Sequence, residues 1–181
     1  SRGIPAVFDP VGAGASSYRQ KISASLLQIP WSGILKGNAS EFHTLLTGEL
    51  SHQGVDSIGF SSGALLPASK AALLAAGSRV LAVTGKQDLI CRDDRTLLLS
   101  HRGGTVRSLV GTGCAAGALC ASFAALTRDY FLAAAAALSL TSFALWKASG
   151  EGNRYGSCKA RFLDAISGYS EQELDEYLHL E

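Results

Sequence analysis

The chain has 181 residues, 47% of them hydrophobic and 17% charged, with a formal net charge of +1. That length fits one domain with a real core, and the apolar fraction excludes a mostly disordered chain. So small a net charge provides no field to draw nucleic acid or an anionic membrane, so the expected partners are small molecules bound locally.

The four cysteines, Cys91, Cys114, Cys120 and Cys158, show no C-x-x-C spacing and no histidine cluster beside them. A zinc site or redox motif is therefore not expected, and thiols in so apolar a chain favour a reducing, cytoplasmic setting. The most hydrophobic stretch, 131–145, is short for a bilayer and is interrupted by Ser139, Thr141 and Ser142, which predicts a buried core helix. The opening residues carry no signal-peptide pattern. The chain contains no methionine, even at position 1, and runs almost at once into an apolar strand pattern. The expectation is a chain whose natural start is absent.

In chain order, 4–8 reads as a buried strand ending in Asp9-Pro10, followed by the small-residue loop 11–16. A helical pattern covers 17–28 and stops before Pro30. A second strand is expected over 33–36, with Gly37-Asn38 as a turn, then a helix over 39–46 stopped by Gly48. The segment 49–64 is polar and loop-like, and 67–76 is helical. Val80 to Thr84 is a buried strand. Residues 88–92 and 96–100 read as a strand pair across the acidic turn Asp93-Asp94, and Gly103-Gly104 marks another turn. The segment 111–126 begins as a glycine-rich loop and becomes a helix. An alanine-rich helix follows over 130–149, then a loop over 150–157 and two amphipathic helices over 159–167 and 171–180.

Continuous apolar strands alternating with helices argue for a mostly parallel sheet covered by helices on both faces, over a single domain spanning 1–181. Ligands in such folds bind outside the carboxyl ends of the strands. That rule singles out Asp9, Lys36, Thr84 and the loop at Gly111.

Each place carries a chemical reading beside a plainer one. Asp9-Pro10-Val11-Gly12-Ala13-Gly14 puts a carboxylate before a glycine turn, which suits a cation held beside phosphates; it is also a serviceable strand-to-helix turn. A dinucleotide loop is disfavoured because Ser17 stands where the third glycine belongs. Lys36 can reach a phosphate as a point charge. Glu41, in the first turn of the next helix, can join Asp9 around magnesium, directly or through water. Asn38-x-x-Glu41 is equally a capping box. Thr84, before Gly85, can bond a phosphate or simply end a strand. Gly111-Thr112-Gly113-Cys114 opens a helix whose free amides suit an anion. Cys114 lies where a helix start favours a thiolate, or it is an inert packing residue. The histidines, at 43, 52, 101 and 179, fall in separate elements and form no ligand spacing. No Walker A pattern occurs, which excludes a P-loop kinase.

Taken together and in order, the segments 9–15, 36–41, 83–85 and 111–114 resemble the sequence blocks of the hydroxyethylthiazole kinases, within the ribokinase-like superfamily. Asn38-x-x-Glu41 is similar to the superfamily's magnesium-linked N-x-x-E, and Gly111 to Cys114 to its anion-hole loop, where most members carry Asp in place of the cysteine. The resemblance implies a three-layer α/β/α ribokinase-like fold lacking its N-terminal portion. It implies Cys114 as the catalytic residue, an anion hole of Thr112, Gly113 and Cys114, and thiazole contact at Gly111. It further implies ATP contact at Lys36 and Thr84, with Mg2+ at Asp9 and Glu41. The implied reaction phosphorylates 4-methyl-5-(2-hydroxyethyl)thiazole from ATP, in a homo-oligomer, a trimer by the family's pattern. Lys36 stands where bacterial members often carry Arg, and the Lys36-Gly37-Asn38 and Gly54-Val55-Asp56-Ser57 segments resemble fungal members, in which the kinase follows a thiamine-phosphate synthase domain. Two other readings remain open at this level: a non-catalytic nucleotide-binding remnant, and a kinase for another small alcohol such as a hydroxymethylpyrimidine.

Overall fold

The computed structural model describes residues 3–50, 79–92, 95–101, 109–149 and 154–178. The elements run β1 (Ala6–Phe8), a turn of 3-10 helix (Ala13–Ala15), α1 (Ser17–Gln28), β2 (Gly33–Asn38), α2 (Ala39–Thr47), β3 (Arg79–Thr84), β4 (Gln87–Arg92) and β5 (Arg95–Ser100). Four helices follow: α3 (Thr112–Leu126), α4 (Tyr130–Ala148), α5 (Tyr155–Ser167) and α6 (Glu171–Leu178). The expected helix over 67–76, the loop over 51–64 and the turns at 93–94 and 103–104 lie outside the described residues.

The strands form one sheet in the order β1-β2-β3-β4-β5. The first three are parallel, while β3, β4 and β5 pair antiparallel. The sheet is therefore mixed, its parallel half matching the expectation and its far edge formed by the β4–β5 hairpin. Buried strands supply both faces by alternation. Ile34, Val80, Ala82 and Ile90 point to one side, where they pack with Ala116, Cys120 and Ala124 of α3 and Phe131, Ala134 and Leu138 of α4. Leu35, Leu81, Val83, Leu89 and Cys91 point to the other, against Leu27 of α1 and Phe42 of α2. The result is the expected three-layer α/β/α arrangement, with α5 and α6 packed in turn on α4. Helix α4 is long and apolar enough to cross a membrane by composition. Ala134, Ala137, Phe143 and Ala144 are nevertheless fully buried among protein atoms, as expected of a core helix.

Two boundaries differ from the sequence reading. Gly37 and Asn38 continue β2 instead of turning, because they pair with Val83 and Thr84 along β3. Helix α5 starts at Tyr155, inside the segment expected to be loop, and seats Cys158 and Phe162 in the core it shares with α4. At the other end of β2, Gly33 has φ 144°, and a Cβ there would lie 1.9 Å from the carbonyl oxygen of Ala6. Glycine is what lets β1 lie against β2 at this point.

Candidate active site

Parallel register brings the carboxyl ends of β1, β2 and β3 to one edge of the sheet. Phe8 pairs with Leu35, so Asp9 emerges beside Lys36, and Asn38 pairs with Thr84. Helix α3 starts over the same edge, and the side chains close the gaps. The Lys36 ammonium lies 2.8 Å from Asp9 Oδ2 and donates to the Gly113 carbonyl at 3.0 Å. A side chain at 113 would crowd that ammonium, since a Cβ there would sit 3.2 Å from Lys36 Nζ. One cation thus ties the ends of two strands to the first turn of α3.

Glu41 makes the second tie. Its Oε2 accepts from the Asn38 amide at 2.8 Å while Asn38 Oδ1 accepts from the Glu41 amide at 3.0 Å, forming the capping box that starts α2. Its other oxygen, Oε1, accepts from the Gly12 amide at 2.9 Å. The same carboxylate therefore starts a helix and shapes the glycine turn after Asp9. Thr84 Oγ1 donates to the Gly37 carbonyl at 3.4 Å, which holds the ends of β2 and β3 side by side.

Gly111, in left-handed backbone at φ 98°, is the cap of α3, and its carbonyl accepts from the Ala115 amide. Among these residues Cys114 is exposed and its thiol open to solvent, whereas Cys91, Cys120 and Cys158 are buried. A shallow cleft with mostly apolar walls opens beside Gly111, between the start of α3 and Phe162 and Leu163 of α5.

The electrostatics beneath this edge are those of a charged floor under an apolar sheet. Burial pushes the Cys120 thiol up to about 12; the Lys36 ammonium pulls it down, and Asp9 and Asp88 add to the rise. Asp9 Oδ1 is buried without a hydrogen-bond partner. A lone pair left in that way is costly unless something binds there. It is the donor a hard cation would take, and the residues fit magnesium in a limited sense. Asp9 can offer one direct oxygen. Glu41, with both oxygens already accepting amides, can reach a cation only through water or by giving up an amide. No group of three or more His, Cys, Asp or Glu side chains gathers among the described residues. Magnesium tolerates so few protein oxygens because it keeps several waters and takes phosphate oxygens as ligands.

The comparisons with known proteins place the chain in a family. The family model described as "Hydroxyethylthiazole kinase family" matches residues 1–172. The chain belongs to the hydroxyethylthiazole kinase family. The hydroxyethylthiazole kinase of Desulforudis audaxviator is 33% identical over 180 residues, covering 99% of this chain and 65% of that one. That of Methanosarcina acetivorans is 33% identical over 181 residues, covering 99% and 68%. The solved structure of the hydroxyethylthiazole kinase protein from Pyrococcus horikoshii superposes with a TM-score of 0.75 at 27% identity, covering 96% of this chain and 63% of that one. The chain thus spans about two thirds of the length of these family members, and shares their ribokinase-like fold.

Of the residues singled out from sequence, Asp9, Lys36, Glu41, Thr84 and Gly113 are brought together by contacts, directly or through Gly12, Gly37 and Asn38. Gly111, Thr112 and Cys114 extend the same edge along the start of α3. Lys36, expected to reach a phosphate as a point charge, is 4% exposed and turned onto Asp9 and Gly113. Sequence reasoning missed Asp88 and His101. His101 Nε2 stands 3.3 Å from Asp88 Oδ1, which also accepts from the Gly85 amide at 3.0 Å. The Asp88 hydrogen bond holds the His101 imidazolium to higher pH than an ordinary histidine, with burial opposing it. An acidic residue opening an otherwise apolar strand run was the available signal.

Proposed function

We propose that this site transfers the γ-phosphoryl group of ATP to the hydroxyl of 4-methyl-5-(2-hydroxyethyl)thiazole, in the thiamine pathway of the cytoplasm. The observation that carries this reading is the convergence just described. Segments up to 77 residues apart meet at Lys36, Asp9 and Gly113, which sets the start of a helix beside the ends of parallel strands.

Each residue then has a task. The amides of Thr112, Gly113 and Cys114 form an anion hole for charge that builds on the transferring group. Thr84 contacts the nucleotide phosphates, and Lys36 lends positive charge from beneath them while holding Gly113 in place. Gly111 leaves space for the thiazole. Asp9, through its unpartnered oxygen, and Glu41, through water, hold magnesium, which when bound neutralises phosphate charge. The thiazole hydroxyl oxygen bonds to the γ-phosphorus as the bond from that phosphorus to the bridging oxygen breaks, and ADP leaves with the electron pair. Cys114 orients the hydroxyl or takes its proton. The protein works as a homo-oligomer, a trimer.

Phosphorus NMR of the chain with ATP, magnesium and a panel of alcohols tests this. The thiazole is expected to give a new phosphate monoester that chelation of magnesium abolishes. Ester formed only from a hydroxymethylpyrimidine would reassign the substrate. Nucleotide bound with no ester from any alcohol would make the chain a non-catalytic nucleotide-binding module.

A further inference from the structure

Asp88 and His101 stand outside the converged strand ends, yet both are fixed to the turn that follows Thr84. Asp88, 5% exposed at the start of β4, accepts from the Gly85 amide and faces His101 Nε2. On the other side of the ring, Nδ1 lies 2.6 Å from the Ser142 hydroxyl of α4, and Ser142 meets the Tyr177 phenol of α6. A single hydrogen-bonded chain therefore runs from the last described helix, across the helical layer, to the turn between β3 and β4. Burying a carboxylate and an imidazole there costs desolvation that apolar packing would avoid, and the gain is a fixed turn.

We propose that His101 is a positioning residue for the nucleotide: through Asp88, which accepts from the Gly85 amide, it holds the turn after Thr84 in shape for the phosphates, and through Ser142 and Tyr177 it makes that shape depend on the docking of α6. The nucleotide half of this proposal rests on the kinase reading above. The groups facing the ring are the Asp88 carboxylate from β4, the Ser142 hydroxyl from α4 and, through it, the Tyr177 phenol from α6. Asp88 is the charged one among them. Protonation sets the direction of the chain. The imidazolium donates from both nitrogens, to Asp88 and to Ser142, so Ser142 gives its own proton onward to Tyr177. The neutral ring keeps Nε2–H on Asp88 and accepts from Ser142 at Nδ1, and Tyr177 then donates to Ser142.

The test combines NMR and calorimetry on the whole chain. The Gly85 amide shift is expected to titrate with the same midpoint as the His101 ring, above the usual histidine value. The amide's titration should vanish in His101→Gln, and Tyr177→Phe should move the midpoint of both signals. Magnesium-ATP should bind about tenfold more weakly to His101→Ala, the size of one lost hydrogen bond, with recovery in His101→Gln, whose amide can bridge the same partners. A Gly85 amide indifferent to the His101 titration overturns the linkage. Equal ATP affinity in wild type and His101→Ala overturns the positioning role and leaves the kinase reading intact. No ATP binding by the wild type, with the Gly85 amide still following His101, refutes the kinase reading and the nucleotide half together, while upholding the link to the turn.

Discussion

The ammonium of Lys36 and the carboxylate of Asp9 form an ion pair at 2.8 Å, with side chains 5% and 17% exposed. It joins adjacent parallel strands at the edge where α3 begins. Breaking a largely buried pair by removing one partner leaves an uncompensated charge. Lys36→Met is therefore expected to destabilise the fold by about 3 kcal/mol in urea titration, with the Asp9→Asn, Lys36→Met double variant recovering part of the loss. A double variant as unstable as the sum of the singles would contradict this coupling.

Glu41 accepts from two amides on different segments, Gly12 and Asn38. Glu41→Gln turns an NH2 toward one of them. A loss of roughly 2 kcal/mol in thermal unfolding is expected, more than the ~1 kcal/mol of an ordinary lost cap from Asn38→Ala. Equal losses would mean that the Gly12 bond contributes nothing.

Gly33 has no room for a side chain: the missing Cβ would meet the Ala6 carbonyl at 1.9 Å. Gly33→Ala should cost about 3 kcal/mol or more and weaken β1 first, seen as faster amide exchange at Ala6 to Phe8. Unchanged protection there would show that β1 is held by other means.

His101 predicts how stability follows pH. Its pKa is raised in the folded chain, mainly by the Asp88 hydrogen bond. The folded state thus holds this proton more tightly than the unfolded one. The stabilisation is complete below the unfolded value of about 6.5 and fades as pH climbs through the folded value. Unfolding midpoints should fall over that window in the wild type, and this component should flatten in Asp88→Asn. A rise over the same window would contradict the assignment.

The four cysteines differ in access, with Cys114 exposed and the others buried. The Cys120 thiol, pushed up to about 12, is also poorly ionised at neutral pH. A disulfide dye should react rapidly with one thiol per native chain and with four after denaturation. Rapid reaction of one thiol in Cys114→Ser as well would refute that order.

Much of this architecture was legible because its signals are local. Val80 to Thr84 is a continuous apolar run, Gly48 takes the left-handed conformation that ends α2, and Asn38-x-x-Glu41 is both the capping box and a strand-end motif. What was illegible depends on pairing across the sheet. Gly37 and Asn38 resemble a turn until β3 lies beside them. Nothing local to Lys36 shows that the Asp9 carboxylate and the Gly113 carbonyl enclose it. His101 looks isolated because its partners, Asp88, Ser142 and Tyr177, lie 13, 41 and 76 positions away in sequence and meet only when the hairpin and two helices are assembled.

The central claim is a phosphoryl-transfer site at the start of α3, and ADP release with ATP and magnesium, measured with and without hydroxyethylthiazole, tests it most directly. Thiazole-dependent release is predicted, falling about 100-fold in Cys114→Ala while ATP affinity holds. Release that ignores the thiazole, or that survives Cys114→Ala undiminished, would contradict the account.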